Sequence, residues 1–500
     1  MVPASRRFIP ATLPARLPAI LFALGAVFYL GYLARHTASY ASGSDASGYF
    51  NSARLLAQGR FSVIPRVPEG SSYDEFGLMT FQPLGFITDK TAARMSPTYP
   101  IGYPLHLLAA SAFVGWRHAA TLVSMAAALF AGVLTWCLAR RLALPDYWAA
   151  LAMLLLWLCP VHLFIALQPM SDQLAMLWSL ATLVAALHAR NGWAWSLACG
   201  FSLAMAVLVR PTALLLLIPV LAAIGPAWRA LLLVGAGGIP GAAFLALYNW
   251  NVYGSVVTTG YGDVSTAFSR DFVAHNVAHI AIWLPTLLTP LVCAALVTPF
   301  LARGRRREHL VLAIWAVVLT SFYAFYYHTG EQWWYLRFIL PAFPALILLA
   351  LVPLHALGAR LPSQPDWLKP VLAAALLVLA AAWDIKLSRR LDVVSIPRGE
   401  KFYVDTSDWA SANLPAGSVV LCMQVSGSLF YYTDFLIVRW DQVRADKTAD
   451  LMSRFESPRR AVYAALYDFE EGDFFGRIGG RWERISTVGN THFWRMTAPP

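Results

Sequence analysis

The run AATLVSMAAALFAGVLTWCLA at residues 119–139 contains no charged side chain and is followed directly by Arg140 and Arg141. A helix of about 20 apolar residues crosses a hydrocarbon core that is about 30 Å thick. Comparable runs of about 17 to 25 apolar residues recur from Leu17 to Trp383. This recurrence predicts a protein that crosses a membrane many times.

The composition agrees with a membrane protein. Hydrophobic residues make up 58% of the 500-residue chain and charged residues 13%, whereas a soluble domain carries about a quarter charged residues. The formal net charge of +11 does not indicate nucleic-acid binding, because the arginines cluster in short loops between the apolar runs. Four of the five cysteines lie inside apolar runs, and no disulfide framework or zinc spacing is present.

The topology follows from the basic residues. Arg6, Arg7 and Arg16 precede the first run and place the amino terminus in the cytoplasm by the positive-inside rule. The segment 103–116 has about fourteen residues, which suits a helix lying in the interface rather than a crossing. We then predict eleven spans, near residues 17–35, 119–139, 147–166, 173–189, 193–209, 211–227, 230–249, 281–302, 309–327, 338–357 and 367–385. Counting from the amino terminus places five internal basic loops on the cytoplasmic side: Arg140 with Arg141, Arg190, Arg229, Arg303 with Arg305 to Arg307, and Arg360.

The predicted fold class is an all-α polytopic membrane protein with a small α/β domain at its carboxyl end. The membrane domain covers residues 1–387, and its first outer loop, 36–118, contains interfacial helices. Residues 388–500 form the extracytoplasmic domain, because the helix-like stretch Tyr403–Asn413 is followed by strand-like runs at 418–423 and 435–438. Most of the informative polar residues fall on the outer side.

Two aspartates stand at predicted helix starts on this outer side. Asp45 follows the first span, and Asp172 begins the fourth. A carboxylate at the bilayer surface can take a proton from an acceptor hydroxyl. An aspartate at a helix start is also a natural amino-terminal cap. Both readings stay open for Asp45, capping is the simpler reading for Asp172, and both can be true together.

Two arginines lie at outer junctions of the predicted spans. Arg210 separates the fifth and sixth spans, and Arg337 enters the tenth. An arginine at this depth either extends toward water or pairs with an anion, and a lipid phosphate is a fitting anion. Trp333, Trp334 and Tyr335 beside Arg337 fit a binding pocket or an interfacial aromatic belt equally well.

Further polar candidates lie in the loops. Tyr99 and Tyr103 belong to the proline-rich segment SPTYPIGYP at residues 96–104, whose backbone is conformationally restricted. Asn249, at the outer end of the seventh span, offers an amide for sugar hydroxyls or for helix termination. The chain contains no nucleotide-binding loop, so we expect no cofactor, and a divalent cation stays open.

In this order the motifs resemble the GT-C superfamily of polyprenyl-phosphate-sugar-dependent glycosyltransferases. Within this superfamily the chain resembles particularly the bacterial members related to protein O-mannosyltransferases and lipid A aminoarabinose transferases. The resemblance spans almost the whole chain and is carried by the Asp45 loop, the segment Tyr99–Pro104, Ser171 with Asp172, Arg210-Pro-Thr212, Tyr248 with Asn249 and Tyr253 with Gly254, Arg337–Pro341 and an outer soluble tail.

The resemblance implies a site and a reaction. Asp45 takes the position of the catalytic base, Asp172 a supporting or acceptor-positioning role, and Arg210 and Arg337 the binding of the carrier phosphate, with Tyr99, Tyr103 and Asn249 near the donor. The expected partners are a polyprenyl-phosphate-linked sugar, membrane lipid, and a glycan, lipid or protein acceptor, with no nucleic acid. The expected location is the bacterial inner membrane, with a periplasmic carboxyl domain.

Two departures from the family pattern bear on the substrates. Ala46 stands where protein mannosyltransferases have glutamate, and Thr98-Tyr99-Pro100 replaces the lysine-proline pair of the aminoarabinose transferases. Neither specific activity is therefore carried over with the fold. A transporter or flippase, or a membrane scaffold, remains an alternative; a transporter predicts ionisable or broken helices at the bilayer midplane.

Overall fold

The computed structural model describes residues 13–89, 91, 93–301, 305–360, 367–456 and 460–499. Arg6, Arg7 and Arg303, which contribute to the topology prediction, lie outside the described residues. The described chain forms a bundle of apolar helices and, at one end of it, a layer that contains a five-stranded sheet.

The bundle is built from long helices interrupted by short 3-10 segments. The helices are α1 (Leu13–His36), α4 (Trp116–Arg141), α5 (Asp146–Leu158), α6 (Pro160–Ala166), α7 (Ser171–His188), α8 (Trp193–Val209), α9 (Leu217–Ile224), α10 (Trp228–Tyr253), α11 (Val273–Leu287), α12 (Thr298–Leu301), α13 (Arg306–Ala324), α14 (Phe343–Arg360) and α15 (Leu368–Arg390). Three 3-10 helices extend this set: Pro211–Leu216, Pro290–Val297 and Trp333–Ala342.

Length and hydropathy identify the helices that can cross a membrane. Among the described residues, five helical runs qualify: Trp116–Arg141, Trp228–Tyr253, Arg306–Ala324, Trp333–Gly358 and the run that begins at Leu368. Two bent pairs, with angles of 62° and 111° between their members, raise this number to seven when each is counted as one crossing. The second member of each pair begins with proline, Pro160 or Pro290, which has no N–H to continue the preceding helix.

The remaining four predicted spans coincide with α1, α7, α8 and the pair formed by the 3-10 helix Pro211–Leu216 and α9. The protein is therefore a helical membrane protein with several apolar helices, and eleven crossings stays a prediction. The segment predicted to lie in the interface forms α3 (Gly102–Val114), which has 13 residues. At 1.5 Å per residue, α3 is about 20 Å long and too short to cross a hydrocarbon core.

The first outer loop forms its own small structure at the end of the bundle. Its helix α2 spans Gly43–Ala57, and β1 (Phe86–Thr88) pairs antiparallel with β2 (Met95–Pro97) just before α3. Gly85 and Gly48 lie so close together that a Cβ at Gly85 would be 2.9 Å from the Gly48 Cα. The α2 helix therefore packs tightly on the loop that leads into β1.

The carboxyl-terminal domain is an α/β structure, as predicted. Its sheet order is β4-β3-β5-β7-β6. The strands β4, β3 and β5 are parallel to one another, and β7 pairs antiparallel with both of its neighbours, β5 and β6. The strands are β3 (Val419–Leu421), β4 (Leu436–Val438), β5 (Val462–Leu466), β6 (Arg481–Val488) and β7 (Thr491–Ala498). The helices are α16 (Ser395–Gly399), α17 (Phe402–Asn413), α18 (Ser426–Tyr432), α19 (Thr448–Glu456) and α20 (Asp468–Ile478).

Alternation along the strands provides two buried faces. Val419 and Leu421 pack with α19 and α20 on one face, whereas Val420 packs with α17 and α18 on the other, as expected for a strand with a repeat of two residues. The predicted helix 403–413 is α17, and the two strand-like runs contain β3 and β4. The predicted domain boundary after residue 387 falls in the last turn of α15.

The first outer loop is incorporated into this domain. Phe76 and Phe81 of the loop are buried in the core shared by β3, β4, α19 and α20. The Arg444 N–H donates to the Phe76 carbonyl at 2.9 Å, and the Arg439 N–H donates to the Thr80 carbonyl at 2.7 Å. The loop and the domain consequently form one continuous layer over the end of the bundle.

Candidate functional site

Four charged side chains that are distant in sequence meet at the end of the bundle. Arg337 Nη2 donates to Asp45 Oδ2 at 3.1 Å, and Arg210 Nη2 lies 2.8 Å from Asp172 Oδ1. The Cζ atoms of Arg337 and Arg210 lie 5.2 Å and 5.3 Å from the centre of the same ring, that of Phe338. Asp172 also interacts electrostatically with Arg337. The two ion pairs therefore form one cluster, which we call the charge cluster.

Burial differs among the four members of the charge cluster. The side chain of Asp172 is 2% exposed and that of Arg210 15%, whereas Arg337 is 13% and Asp45 32% exposed. A buried charge is tolerated only when it is paired or hydrogen-bonded. Asp45 is the most accessible of the four, so it is the carboxylate best placed to meet a substrate.

Neither aspartate caps its own helix through its side chain. The α2 helix begins at Gly43, not at Ala46 as the capping reading required, and the cap position, Ser42, makes no side-chain cap hydrogen bond. Asp172 is the second residue of α7, whose cap position also lacks such a bond. The capping reading is therefore wrong for both residues, and each carboxylate is directed to an arginine. Their place in a first helical turn is still favourable, because the helix dipole stabilises negative charge there.

Several polar atoms in the charge cluster lack hydrogen-bond partners. Among the described residues, Arg210 Nη1, Arg337 Nε and Asp172 Oδ1 are buried without one. The Asp172–Arg210 contact is thus an ion pair by distance without hydrogen-bond geometry. An unsatisfied buried donor costs about 1–3 kcal/mol. The two free N–H donors can therefore bind an additional anion at little further cost in desolvation.

Tyrosines line the side of the charge cluster that faces α2 and α3. Tyr49, one turn after Asp45, donates to Ser171 Oγ at 2.8 Å. The rings of Tyr99 and Tyr103 lie with their centres 5.1 Å and 4.9 Å from that of Tyr49. Burial, followed by the negative charge of Asp45, raises the pKa of Tyr99 well above its ordinary value. Tyr99 consequently stays a neutral phenol that can donate or accept a hydrogen bond.

Tyr99 is the tyrosine most directly linked to Asp45. Its hydroxyl lies 2.7 Å from the Oγ of Ser44, the residue before Asp45. Its ring rests on Gly48, where a Cβ would be 2.5 Å from the Tyr99 Cδ2 atom. A side chain at position 48 would displace this ring, so glycine is required there for the close approach.

The two other predicted binding residues are placed differently. The hydroxyl of Tyr103 is buried without a hydrogen-bond partner among the described residues. Asn249 Nδ2 donates to the Val256 carbonyl at 3.1 Å, which fits the helix-termination reading. Asn249 and Tyr99 line a common small cavity of about 20 Å³, so Asn249 borders the region of Tyr99 but is not a member of the charge cluster.

An apolar groove begins at the charge cluster and runs between helices of the bundle. It is narrow, with a cavity volume of about 20 Å³, and Arg210 and Thr212 form its polar end. Apart from Ser179, the rest of its lining is apolar and includes Ala175, Leu216, Trp315, Leu319 and Pro341. The groove thus joins the Arg210 guanidinium group to a surface that suits hydrocarbon. Arg337 does not line it but lies beside Phe338, which does.

Local sequence patterns only partly indicated some neighbours of the charge cluster. Tyr49 follows Asp45 by four residues, so helical spacing could have placed it on the same face. Tyr323 forms a hydrogen bond with Thr212 at 2.8 Å between their hydroxyl oxygens, and Phe338 lies beside both guanidinium groups. Tyr323 belongs to a different helix from its partner, and no local pattern indicated it.

Acidic groups outside the charge cluster are engaged in other contacts. Glu75 of the first outer loop accepts from Arg454 at 3.0 Å, so this acid joins the loop to α19. Among the described residues, one group of three potential metal ligands occurs, Asp468, Glu471 and His492. His492 Nδ1 lies 2.6 Å from Glu471 and 3.3 Å from Asp468, and hydrogen bonding accounts for this grouping.

The fold and the charge cluster can be compared with known proteins. No protein-family model and no curated protein sequence matches this chain. Solved structures do match, and they share the GT-C-like fold that the sequence predicted. At the identities found, this likeness is one of fold.

Two of these structures are of ArnT from Cupriavidus metallidurans. The structure bound to undecaprenyl phosphate matches with a TM-score of 0.58 and 13% identity, over 96% of this chain and 98% of that chain. The apo structure matches with a TM-score of 0.60 and 13% identity over the same shares. Arabinofuranosyltransferase AftD from Mycobacteria matches with a TM-score of 0.52 and 14% identity, over 97% of this chain and 42% of that chain.

Proposed function

We propose that this protein is a membrane glycosyltransferase that moves a sugar from a polyprenyl-phosphate carrier to an acceptor on the outer face of the membrane. The observation that carries the proposal is the charge cluster, in which Arg210 and Arg337 keep unpartnered N–H donors and Arg210 also lines an apolar groove. Two buried guanidinium groups beside a hydrocarbon-compatible groove suit a ligand with a phosphate head and a long apolar chain. The shared fold with ArnT, solved bound to undecaprenyl phosphate, supports the same ligand class.

The proposed reaction is a single displacement with inversion at the anomeric carbon. The acceptor oxygen forms a bond to this carbon while the bond from the carbon to the phosphate oxygen breaks. The acceptor proton passes to Asp45, and the electron pair of the broken bond stays on the phosphate, so that the polyprenyl phosphate leaves. Asp45 suits the role of base because it is the most exposed carboxylate of the charge cluster.

The charge cluster suits this transfer electrostatically. Its two acids and two arginines sum to zero charge before the donor arrives. During transfer the phosphate gains one negative charge and Asp45 loses one by accepting the proton, so the total charge of the site does not change. Arg210 and Arg337 stabilise the leaving phosphate through donors that are already in place, and such preorganised donors need little reorganisation in the transition state.

Arg337 links the base to the phosphate site. Its Nη2 donates to Asp45 Oδ2 at 3.1 Å, and a donor phosphate would compete for the same guanidinium group. The carboxylate released from this contact would face the acceptor hydroxyl, while Asp172 keeps Arg210 oriented.

The proximal part of the prenyl chain would enter at the apolar groove, which has to widen to admit it because its volume is only about 20 Å³. Its polar end at Arg210 and Thr212 is where the phosphate would lie, and its apolar walls continue away from it. The basic inner loops of the sequence favour a cytoplasmic amino terminus and a periplasmic carboxyl domain in a bacterial inner membrane. The acceptor class, glycan, lipid or protein, is left to experiment.

The test is transfer of radiolabelled sugar from a panel of polyprenyl-phosphate sugars in membranes supplied with an acceptor-containing extract. Wild type is compared with Asp45→Asn and with the control Asp446→Asn, whose side chain is 71% exposed on the carboxyl-terminal domain. We expect transfer by the wild type and the control, and a loss of about 100-fold or more in Asp45→Asn. No transfer from any donor by the wild type would contradict the proposal and favour a transporter or scaffold.

A further inference from the structure

The α2 helix that carries Asp45 is held from three sides. Asp45 and Tyr49 face the charge cluster and α7. Gly48 faces the Tyr99 ring and the loop at Gly85. A third face is turned to the carboxyl-terminal domain and is formed by Ser47, Asn51 and Arg54, at helical spacings of four and three residues.

The contacts on this third face are formed with the short helix α18. Asn51 Nδ2 donates to the Gly427 carbonyl at 3.2 Å. Arg54 Nη1 donates to the Tyr431 carbonyl at 2.7 Å, and its Cζ atom lies 3.6 Å from the centre of the Tyr431 ring. Both interactions come from α2 side chains and end on α18, so they fix the distance between the two helices.

Gly427 marks the closest approach between the two helices. A Cβ at this position would overlap the Ser47 side chain on α2 and would lie 2.6 Å from the Leu84 carbonyl oxygen. Real Cβ atoms do not approach so closely, so any larger residue must shift α18 relative to α2 and to the loop at Leu84. Two residues before Ser47 is Asp45, and a displacement of α2 therefore moves the Asp45 carboxylate relative to Arg337.

We propose that α18 of the carboxyl-terminal domain is a positioning element of the transferase site, and that its docking onto α2 sets the distance between Asp45 and the reacting atoms. This inference rests on the proposed function. Ser426 adds a further anchor, because its Oγ accepts from the Leu84 N–H at 2.9 Å. Gly427, Asn51 and Arg54 are positioning residues in this account, since they act on the site through α2.

The experiment compares Gly427→Ala with Gly472→Ala in the full-length protein reconstituted in bilayers. Gly472 lies in α20 of the same domain, and a Cβ there meets open space, so this variant controls for adding a methyl group to the domain. Steady-state transfer is measured at varied donor concentration. Hydrogen–deuterium exchange of residues 43–57 is measured in parallel, as a readout of α2 that does not depend on activity.

We expect Gly427→Ala to lower kcat by about tenfold to 100-fold, because a displacement of about 1 Å at a reacting group has effects of this size. The KM for the donor should stay within about twofold of wild type, because the phosphate-binding arginines lie on other elements. Exchange in α2 should accelerate. Adding Ser47→Gly, which removes the overlapping side chain, should recover part of kcat, a rescue that a general loss of stability would not give.

The outcomes separate the inference from the proposed function. An active wild type with an unchanged kcat in Gly427→Ala, with or without faster exchange in α2, would overturn the inference alone. Absence of transfer by the wild type would overturn both the inference and the proposed function. If exchange rises throughout β3, β4 and β5, Gly427→Ala has unfolded the domain, and Arg54→Lys is tested in its place. Arg54→Lys keeps the charge but weakens the planar contact with Tyr431. An unchanged kcat in Arg54→Lys would also overturn the inference.

Discussion

Removing the carboxylate of Asp172 tests whether the charge cluster is built to bind an anion. Asp172→Asn keeps the shape of the side chain but removes the negative charge that lies 2.8 Å from Arg210 Nη2. Arg210 then becomes a buried cation without its partner. A phosphate at the mouth of the groove would supply the missing negative charge.

The burial of the pair sets the magnitude. With side chains 2% and 15% exposed, this pair belongs to the buried class, in which loss of one partner costs about 3–5 kcal/mol. The chain offers a matched control in Asp146, which lies 3.1 Å from Arg140 with both side chains about half exposed, at 54% and 47%. Loss of an exposed partner costs about 0–1 kcal/mol.

The assay is unfolding in mixed micelles by titration with sodium dodecyl sulfate, with and without added polyprenyl phosphate. We expect the free energy of unfolding to fall by about 3–5 kcal/mol in Asp172→Asn and by about 1 kcal/mol or less in Asp146→Asn. Added polyprenyl phosphate should stabilise Asp172→Asn more than it stabilises wild type. Equal effects of the two substitutions, or equal stabilisation of wild type and variant by the lipid, would refute the reasoning.

Three further predictions address the leaving phosphate, the groove and the carboxyl-terminal domain. Arg337→Ala should lower kcat by about 10²- to 10³-fold, because it removes a donor to the developing phosphate charge. The kcat of Arg337→Lys should lie between those of Arg337→Ala and wild type. An unaffected kcat of Arg337→Ala in transfer assays would contradict the role of Arg337. Ala213→Phe, which places a larger side chain in the groove, should lower the free energy of unfolding by about 1–3 kcal/mol and raise the KM for a long-chain donor more than the KM for a short-chain donor. Equal KM changes for both donors would count against the groove. Burial raises the pKa of Glu470 above its ordinary value of 4.5. The stability contributed by its neutral form is therefore complete below pH 4.5 and is lost as the pH rises through the folded-state pKa. Thermal melts across a pH series should show this fall in stability in wild type and not in Glu470→Gln. The same fall in Glu470→Gln would exclude Glu470 as its source.

Local sequence patterns were sufficient for the architecture. Hydropathy reports burial in lipid residue by residue, so apolar runs such as 119–139 predict helices without knowledge of their neighbours. The short length of the segment 103–116 was enough to predict that α3 does not cross. The helix-like stretch Tyr403–Asn413, followed by the strand-like runs that contain β3 and β4, was enough to predict a carboxyl-terminal α/β domain.

Pairing within the site was beyond these patterns. Asp45 and Arg337 are separated by 292 residues, and the sequence indicated only that both lie on one side of the membrane. It did not predict that each carboxylate would pair with one arginine, and it favoured capping for Asp172. Tertiary structure decided between capping and ion pairing, because a carboxylate stabilises a buried arginine more than a side-chain cap stabilises a helix end.

The docking of the carboxyl-terminal domain was also not predictable. The Asn51 and Gly427 contact joins residues 376 apart in sequence, and neither residue belongs to a motif with a chemical signature. The indication lay in Gly427 itself, a glycine in a helix, which lowers helix propensity and so marks a place where another backbone approaches closely. Only the folded chain identifies α2 as that neighbour.

The central claim is that Arg210 and Arg337 hold a lipid phosphate, and its most direct test is the affinity for polyprenyl phosphate against the matching polyprenol, measured by native mass spectrometry. Hydrogen bonds to charged groups contribute about 1.5–3 kcal/mol each, and every 1.4 kcal/mol is about tenfold in affinity. We predict that wild type binds the phosphate more than about 100-fold more tightly than the alcohol, and that this preference is lost when both arginines are replaced by alanine. Equal affinity of wild type for the two lipids, or a preference that survives the double replacement, would contradict the claim.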